Sequence, residues 1–174
     1  MATLPVVVFP PPYWTNQDIV VYHGTVDLFV PPLTSGGVVS SVGKPGTDFG
    51  PGFYTTTVLT QAQMWAYQLS ASRAGTAPAV VEFTISREAL GALQTLAFVR
   101  GDFQAEDFWS FVHYCRKGAT DHGRIPPQRY YDVVYGPVAA FWNQRMTIAG
   151  ADQISFHTLA ADTLLNSRPG RRIM

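Results

Sequence analysis

Charge is scarce in this chain. Only 14% of its 174 residues are Asp, Glu, Lys or Arg, and 12 acidic and 12 basic side chains cancel to a formal net charge of zero. Average soluble proteins carry about 25%. The chain therefore lacks the basic field of a protein that holds nucleic acid through its phosphates. Contact with nucleic acid would have to rest on a local patch, such as Arg124 and Arg129, or Arg168, Arg171 and Arg172. Cysteine is nearly missing as well. A single Cys115 rules out an intrachain disulfide and a cysteine-based metal centre. With Phe111, Val112 and Tyr114 beside it, Cys115 reads as a buried helix residue rather than a reactive thiol.

Long apolar runs are lacking too. The opening MATLPVVVFPPPYW has a short apolar stretch, no basic lead and an immediate proline cluster, so it reads as neither a secretory signal nor a membrane span. The expected location is the cytoplasm, or a target cell reached without an N-terminal signal, and no membrane partner is expected. Several catalytic signatures are missing. No phosphate-cradling P-loop with its lysine is present, and no strand–G-x-S-x-G–helix. The G-P-G-F-Y stretch lacks the helix-opening G-x-G-x-x-G of a Rossmann fingerprint. His113, His122 and His157 have no metal-ligand spacing with a carboxylate, so no metal is expected.

What is present is a hydrophobic fraction of 47% with 15 glycines and 13 prolines, a composition for strands, turns and shaped loops. The length suits one compact domain over 1–174, with an N-terminal arm at 1–17 and a flexible tail at 166–174. Ile19 to Tyr22 reads as a buried strand ending at His23-Gly24-Thr25, and Pro31 to Gly46 as a mobile loop. Asp48 to Thr57 combines turn glycines with a strand-like ending, and Thr60 is the expected cap of a helix carrying Ala62, Met64, Trp65, Ala66 and Leu69. Ala79 to Ile85, Tyr131 to Tyr135 and Gln153 to His157 are further strands. Ser86 caps a short helix, Glu106 to Arg116 has the spacing of an amphipathic one, and Leu159 to Leu165 closes the chain. Strands separated by single helices without regular alternation predict an α+β fold.

Three segments carry polar groups at strand edges: Y-H-G-T at Tyr22 to Thr25, D-F-G-P-G-F-Y at Asp48 to Tyr54, and D-Q-I-S-F at Asp152 to Phe156. Each has a plain reading. His23 is a capped or core histidine, the glycines form a turn that Asp48 caps, Tyr54 packs in a strand, and Met64 and Trp65 are core residues. In this order, with the helix D-F-W-S-F-V-H-Y-C-R and the strand Y-D-V-V-Y between them, the segments resemble the ADP-ribosyltransferase superfamily, in the branch with a His-Tyr-Glu triad. The similarity runs from about Val20 to Leu165 and is nearest to bacterial ADP-ribosyltransferase-like toxins, some of which sit beside small antitoxin-like partners.

That resemblance implies a split antiparallel β-sandwich with flanking helices, and NAD as co-substrate in a central cleft. His23 would bond a hydroxyl of the adenine-side ribose. Gly24 would let its backbone approach the nicotinamide carboxamide, and Thr25 would add a hydroxyl nearby. Tyr22, Gly52 and Phe53 complete the expected NAD-binding set. Tyr54 would stack on nicotinamide, with Trp65 as the second aromatic. The third catalytic position, a glutamate in the triad enzymes, matches Gln153. An amide can accept a ribose hydroxyl but carries no charge and is no general base. Three outcomes follow: a slower mono-transferase whose acceptor brings its own nucleophile or base, a site in which Asp152 supplies the charge, or an NAD-binding module without transfer. Of these the first is favoured. Strand alternation turns Asp152 away from Gln153, while Ser155 shares its face and is the alternative lining residue. Water in place of the acceptor would make the protein an NAD glycohydrolase. The acceptor is expected to be a macromolecule, protein before nucleic acid, with Trp142 and Arg145 as candidate contacts, and an antitoxin protein is the expected neutralising partner.

Overall fold

A computed structural model describes residues 17–98 and 105–174. Most of the N-terminal arm expected at 1–17 thus lies outside the described residues. Seven strands and four helices are present among those described. In chain order they are β1 (Ile19–Val26), β2 (Phe53–Thr55), α1 (Leu59–Ala71), β3 (Pro78–Ile85), α2 (Arg87–Gly91), β4 (Thr95–Ala97), α3 (Glu106–Arg116), β5 (Val133–Gly136), β6 (Gln153–Phe156), α4 (Leu159–Asn166) and β7 (Arg171–Arg172). The class is α+β.

The strands form two sheets, ordered β1-β3-β7 and β2-β6-β5-β4. Their facing sides share one core. Val21, Phe83 and Ile85 come from the first sheet, Val133, Ile154 and Phe156 from the second, and Leu164 and Leu165 from α4. The outer face of each sheet has its own helix. Ala62 and Ala66 of α1 lie on Val80, while Phe108, Trp109 and Val112 of α3 pack with Phe49, Phe98 and Val134. Two half-buried sheets with a helix outside each give four layers, α/β/β/α. One pairing departs from the antiparallel expectation: β4 runs parallel to β5. Parallel neighbours need a long crossover, and here the chain between them contains α3.

Strand β1 does not stop at His23. It continues through Gly24 and Thr25 to Val26, paired residue by residue with β3. Gly24 explains the continuation, because a Cβ there would overlap the Ala62 carbonyl oxygen and press on the Ala66 amide nitrogen. Without a side chain at 24, α1 can lie directly on the strand. Gly24→Ala is expected to cost about 1–3 kcal/mol through overpacking. A lower urea midpoint with unchanged slope is the readout, and an unchanged midpoint would refute this account of α1 docking.

Several local expectations are revised. Thr60 is not the cap of α1. The helix begins at Leu59, and Asp152 serves its entrance from across the fold, accepting from Thr57 N–H (2.9 Å) and Thr56 O–H (2.6 Å), while Thr56 Oγ1 accepts from Val58 N–H (3.0 Å). A carboxylate suits the positive end of a helix dipole. The stretch expected to be a mobile loop holds a wide helical turn at Pro32–Gly36 and a tight one at Ser40–Val42. Helix α4 anchors it: Asp162 accepts from Ser40 N–H at 3.0 Å, and Asn166 bonds both the amide and the carbonyl of Val38. In the expected tail, Arg171 and Arg172 add a short strand to β3, with Arg171 paired to Glu82 at 2.7 Å. Ser86, by contrast, caps α2 as expected, accepting from Ala89 N–H at 3.2 Å.

Candidate functional site

The first two motifs meet where the two sheets touch. Tyr22 and Thr56 exchange both backbone hydrogen bonds, Tyr22 N–H to Thr56 O at 2.8 Å and Thr56 N–H to Tyr22 O at 2.9 Å. One residue along, His23 Nδ1 lies 2.7 Å from the Tyr54 carbonyl, which joins positions 31 residues apart in sequence. A carbonyl only accepts, so Nδ1 carries the proton and Nε2 presents a lone pair. Burial lowers the His23 pKa, which keeps the ring neutral. The imidazole stacks on Phe53, with centroids 4.3 Å apart. Backbone groups of alternate strand residues face the same edge. Gly24 N–H and C=O therefore point as those of Tyr22 do, away from β3.

Tyr54 follows Phe53 in β2 and so projects to the other face. Its ring belongs with the α3 core rather than with His23. The hydroxyl donates to the Gly50 carbonyl at 2.7 Å, accepts from Phe49 N–H at 3.0 Å and lies 2.9 Å from Thr47 Oγ1. Burial, ahead of any neighbour, pushes its pKa upward. The side chain thus ties down the turn that precedes its own strand. Of the sequence-derived set, His23, Phe53 and the Tyr54 backbone come together on the inter-sheet side. Tyr22 packs towards α1. Thr25 is buried. Gly52 is required by packing, since a Cβ there would sit 2.6 Å from His157 Nδ1. Trp65 is not a core residue: it is 59% exposed on α1, flanked by exposed Met64 and Tyr67.

Gln153 opens β6 on the same face as Tyr54 and is nearly buried. Its Nε2 donates to Asp48 Oδ2 at 2.7 Å and to the Pro137 carbonyl at 2.9 Å. Asp48 is the residue whose role the sequence did not disclose. Its carboxylate does not cap its own turn. Instead it accepts from Arg116 Nε at the end of α3 (2.7 Å) and is ion-paired with its Nη2 (2.5 Å), and it accepts from Ala139 N–H (2.8 Å) and from Gln153; it is only 3% exposed. Asp152 faces away from Gln153 and is committed to Thr56 and Thr57, with Gln61 bonded to its main chain on both sides. Ser155 cannot line a cleft, being fully buried and bonded to His157 Nε2 at 2.7 Å.

Two histidines pin the glycine turn from beneath. His122 Nε2 donates to the Phe49 carbonyl (2.9 Å) while Nδ1 accepts from Tyr131 N–H (2.9 Å). His157 Nδ1 donates to the Pro51 carbonyl at 2.6 Å, and its Nε2 accepts from Ser155. Their rings are 4.5 Å apart. Burial pushes His122 down to about 4; burial, followed by the neighbouring His122, pushes His157 to about 3. Cys115, behind the same turn, is held as the thiol, with burial raising it to about 12. Among the described residues no group of three His, Cys, Asp or Glu is placed to hold a metal ion.

A separate open groove of about 900 Å³ runs along the outer side of α3, between His113, Tyr114 and Lys117 and the segment carrying Trp142, Asn143 and Arg145. His113 meets Trp142 edge-on at 5.2 Å, and Arg145 pairs with Glu106 at 2.6 Å. Among the described residues, no helix is long and apolar enough to cross a membrane.

Comparison with curated proteins and with solved structures gives no match. A family model does match, over residues 19–150, which takes in the Tyr22–Thr56 junction, Asp48 and α3 and ends before Gln153. That span covers well over half of the chain, and the protein belongs to the family described as protein of unknown function DUF3990.

Proposed function

We propose that this protein cleaves NAD and transfers its ADP-ribose portion to a macromolecular acceptor. The observation that carries the reading is the junction of the first two motifs: His23, fixed as its Nδ1–H tautomer on the Tyr54 carbonyl, stands beside the edge of β1 that carries the Gly24 amide and carbonyl. A neutral imidazole with a lone pair at Nε2 suits a ribose hydroxyl. A backbone donor and acceptor side by side suit a carboxamide, which has one of each. In the reaction the bond between the nicotinamide nitrogen and the ribose carbon breaks, with its electron pair leaving on nicotinamide. An acceptor nucleophile then bonds that carbon and sheds its proton. This chain's residues orient the dinucleotide, while nucleophile and base come with the acceptor, because Gln153 can serve as neither. Exposed apolar side chains on α1 (Met64, Trp65, Tyr67) and at Phe141, Met146 and Ile148 offer surface for an acceptor or a neutralising protein.

A second reading, NAD binding without transfer, is favoured by one feature: the Tyr54 ring and hydroxyl are committed to the turn and the α3 core. The test is nicotinamide release from NAD in the presence of cell lysate. His23→Ala is expected to lower release about a hundredfold, the scale for removing one preorganised stabilising contact. Release equal in wild type and variant would remove the transferase reading. Saturable NAD binding without release would establish the second.

A further inference from the structure

Both oxygens of the buried Asp48 carboxylate are already engaged within the protein. Oδ1 accepts from Arg116 Nε and is ion-paired with its Nη2, and Oδ2 accepts from Ala139 N–H and from Gln153 Nε2. Three hydrogen bonds and an ion pair thus occupy both oxygens of the carboxylate. The Gln153 amide is equally constrained on its nitrogen side, where its two hydrogens go to Asp48 and to the Pro137 carbonyl. Only Oε1 is left to meet a ligand, and an amide oxygen can only accept. The Nε2–H···Oδ2 bond is charge-assisted, and donating it draws electron density onto Oε1. We propose that Asp48 is a positioning residue for Gln153: held by Arg116, it fixes the carboxamide with its nitrogen inward and makes Oε1 a polarised acceptor for a sugar hydroxyl. The sugar is a ribose of NAD, met at the start of β6 just past the end of β2, on the face of the sheet opposite His23; this step rests on the transferase reading. Negative charge at the site thus stays on this chain, one hydrogen bond behind the side chain that meets the ligand. The residues come from the turn before β2, the end of α3, the loop after β5 and the start of β6, so four separate segments converge on one amide.

The experiment has two arms. In ¹⁵N spectra of the whole protein, the Gln153 side-chain amide (assigned by its loss in Gln153→Met) should show two slowly exchanging protons. Asp48→Asn should speed their exchange about tenfold or more. Arg116→Gln, which frees Oδ1 alone, should change it far less. The wild-type spectrum tests the hold directly, even if Asp48→Asn fails to fold; a fast-exchanging, freely rotating amide overturns the proposal. In the second arm, nicotinamide release is measured for Asp48→Asn, Gln153→Met and the double variant. Each single change should lower release about ten- to hundredfold, and the double variant should be no worse than Gln153→Met. Losses that multiply would mean that Asp48 does not act through Gln153. Slow amide protons in a protein that neither binds NAD nor releases nicotinamide would uphold the hold and refute the transferase reading, so the two failures are separable.

Discussion

Acidification from about pH 6.5 to about 4.5 is expected to remove a large part of the folding stability, through His122 and His157 and before ordinary carboxylates titrate. Both rings are buried and neutral, and each spends one nitrogen on donating to a carbonyl of the glycine turn and the other on accepting. Neither accepting nitrogen can be protonated without losing its bond and placing a charge 4.5 Å from the other ring. Unfolded imidazoles titrate near ~6.5, whereas the folded ones are pushed down to about 4 and about 3. Between those limits the unfolded chain binds more protons, so stability is fully present above ~6.5 and drains as the pH falls. For His122 alone the effect is on the order of 3 kcal/mol, against total stabilities of about 5–15 kcal/mol. Urea midpoints should be level from pH 8 to about 6.5 and then decline, and His157→Gln should flatten the decline. A midpoint unchanged at about pH 4.5 would show that the histidine pair does not secure the turn. Because that turn also receives the Tyr54 hydroxyl, nicotinamide release should fall in the same window, reversibly on return to neutral pH.

Local features were readable where local physics decides them. Helix α3 spans the predicted Glu106 to Arg116, with acidic residues opening it, Arg116 closing it, and Phe108, Val112 and Cys115 one turn apart on its buried side. Ser86 before Ala89 and Leu90 capped a helix as its type and spacing required. The full length of β1 is not legible locally, because the reason for a glycine at 24, the close approach of α1, is a tertiary contact. Strand β4 is not legible in the sequence. Its three residues, Thr95, Leu96 and Ala97, have no alternation worth reading, and their pairing is imposed by β5.

The same division holds for the site. His23, Tyr54 and Gln153 stood out by type and neighbours, but which face each side chain takes depends on strand register, and register puts His23 and Tyr54 on opposite sides of β2. Asp48 was visible only as a turn residue. Its partners lie 68, 91 and 105 residues away, and no window along the chain contains them. The two turn-pinning histidines were hidden for that reason too: His122 reaches Phe49 across 73 residues and His157 reaches Pro51 across 106.

Gln153→Glu is expected to weaken the protein rather than to supply a missing catalytic charge. The nitrogen it replaces faces Asp48 Oδ2 at 2.7 Å and the Pro137 carbonyl at 2.9 Å, two acceptors with no proton to give. A second carboxylate there would repel the first, and Arg116 already serves Oδ1. Like charges sharing a site raise one pKa strongly, so the new carboxyl would ionise well above its usual ~4.3. The sign is opposite to that of the histidines. A group whose pKa is raised in the folded state destabilises at high pH and is relieved as it takes up a proton. Relative to wild type, the variant should therefore be weaker by about 2–4 kcal/mol near pH 8, with the gap narrowing as pH falls. Nicotinamide release should not rise above wild type at neutral pH, since the amide that Asp48 holds would be gone and its replacement would be pushed out or protonated. Paired urea titrations at several pH values check the first expectation, and NAD turnover checks the second. A variant as stable as wild type at pH 8 and more active would mean that Asp48 and position 153 are not in contact. An amide, not a carboxylate, is the side chain that a buried Asp48 can accept as its neighbour.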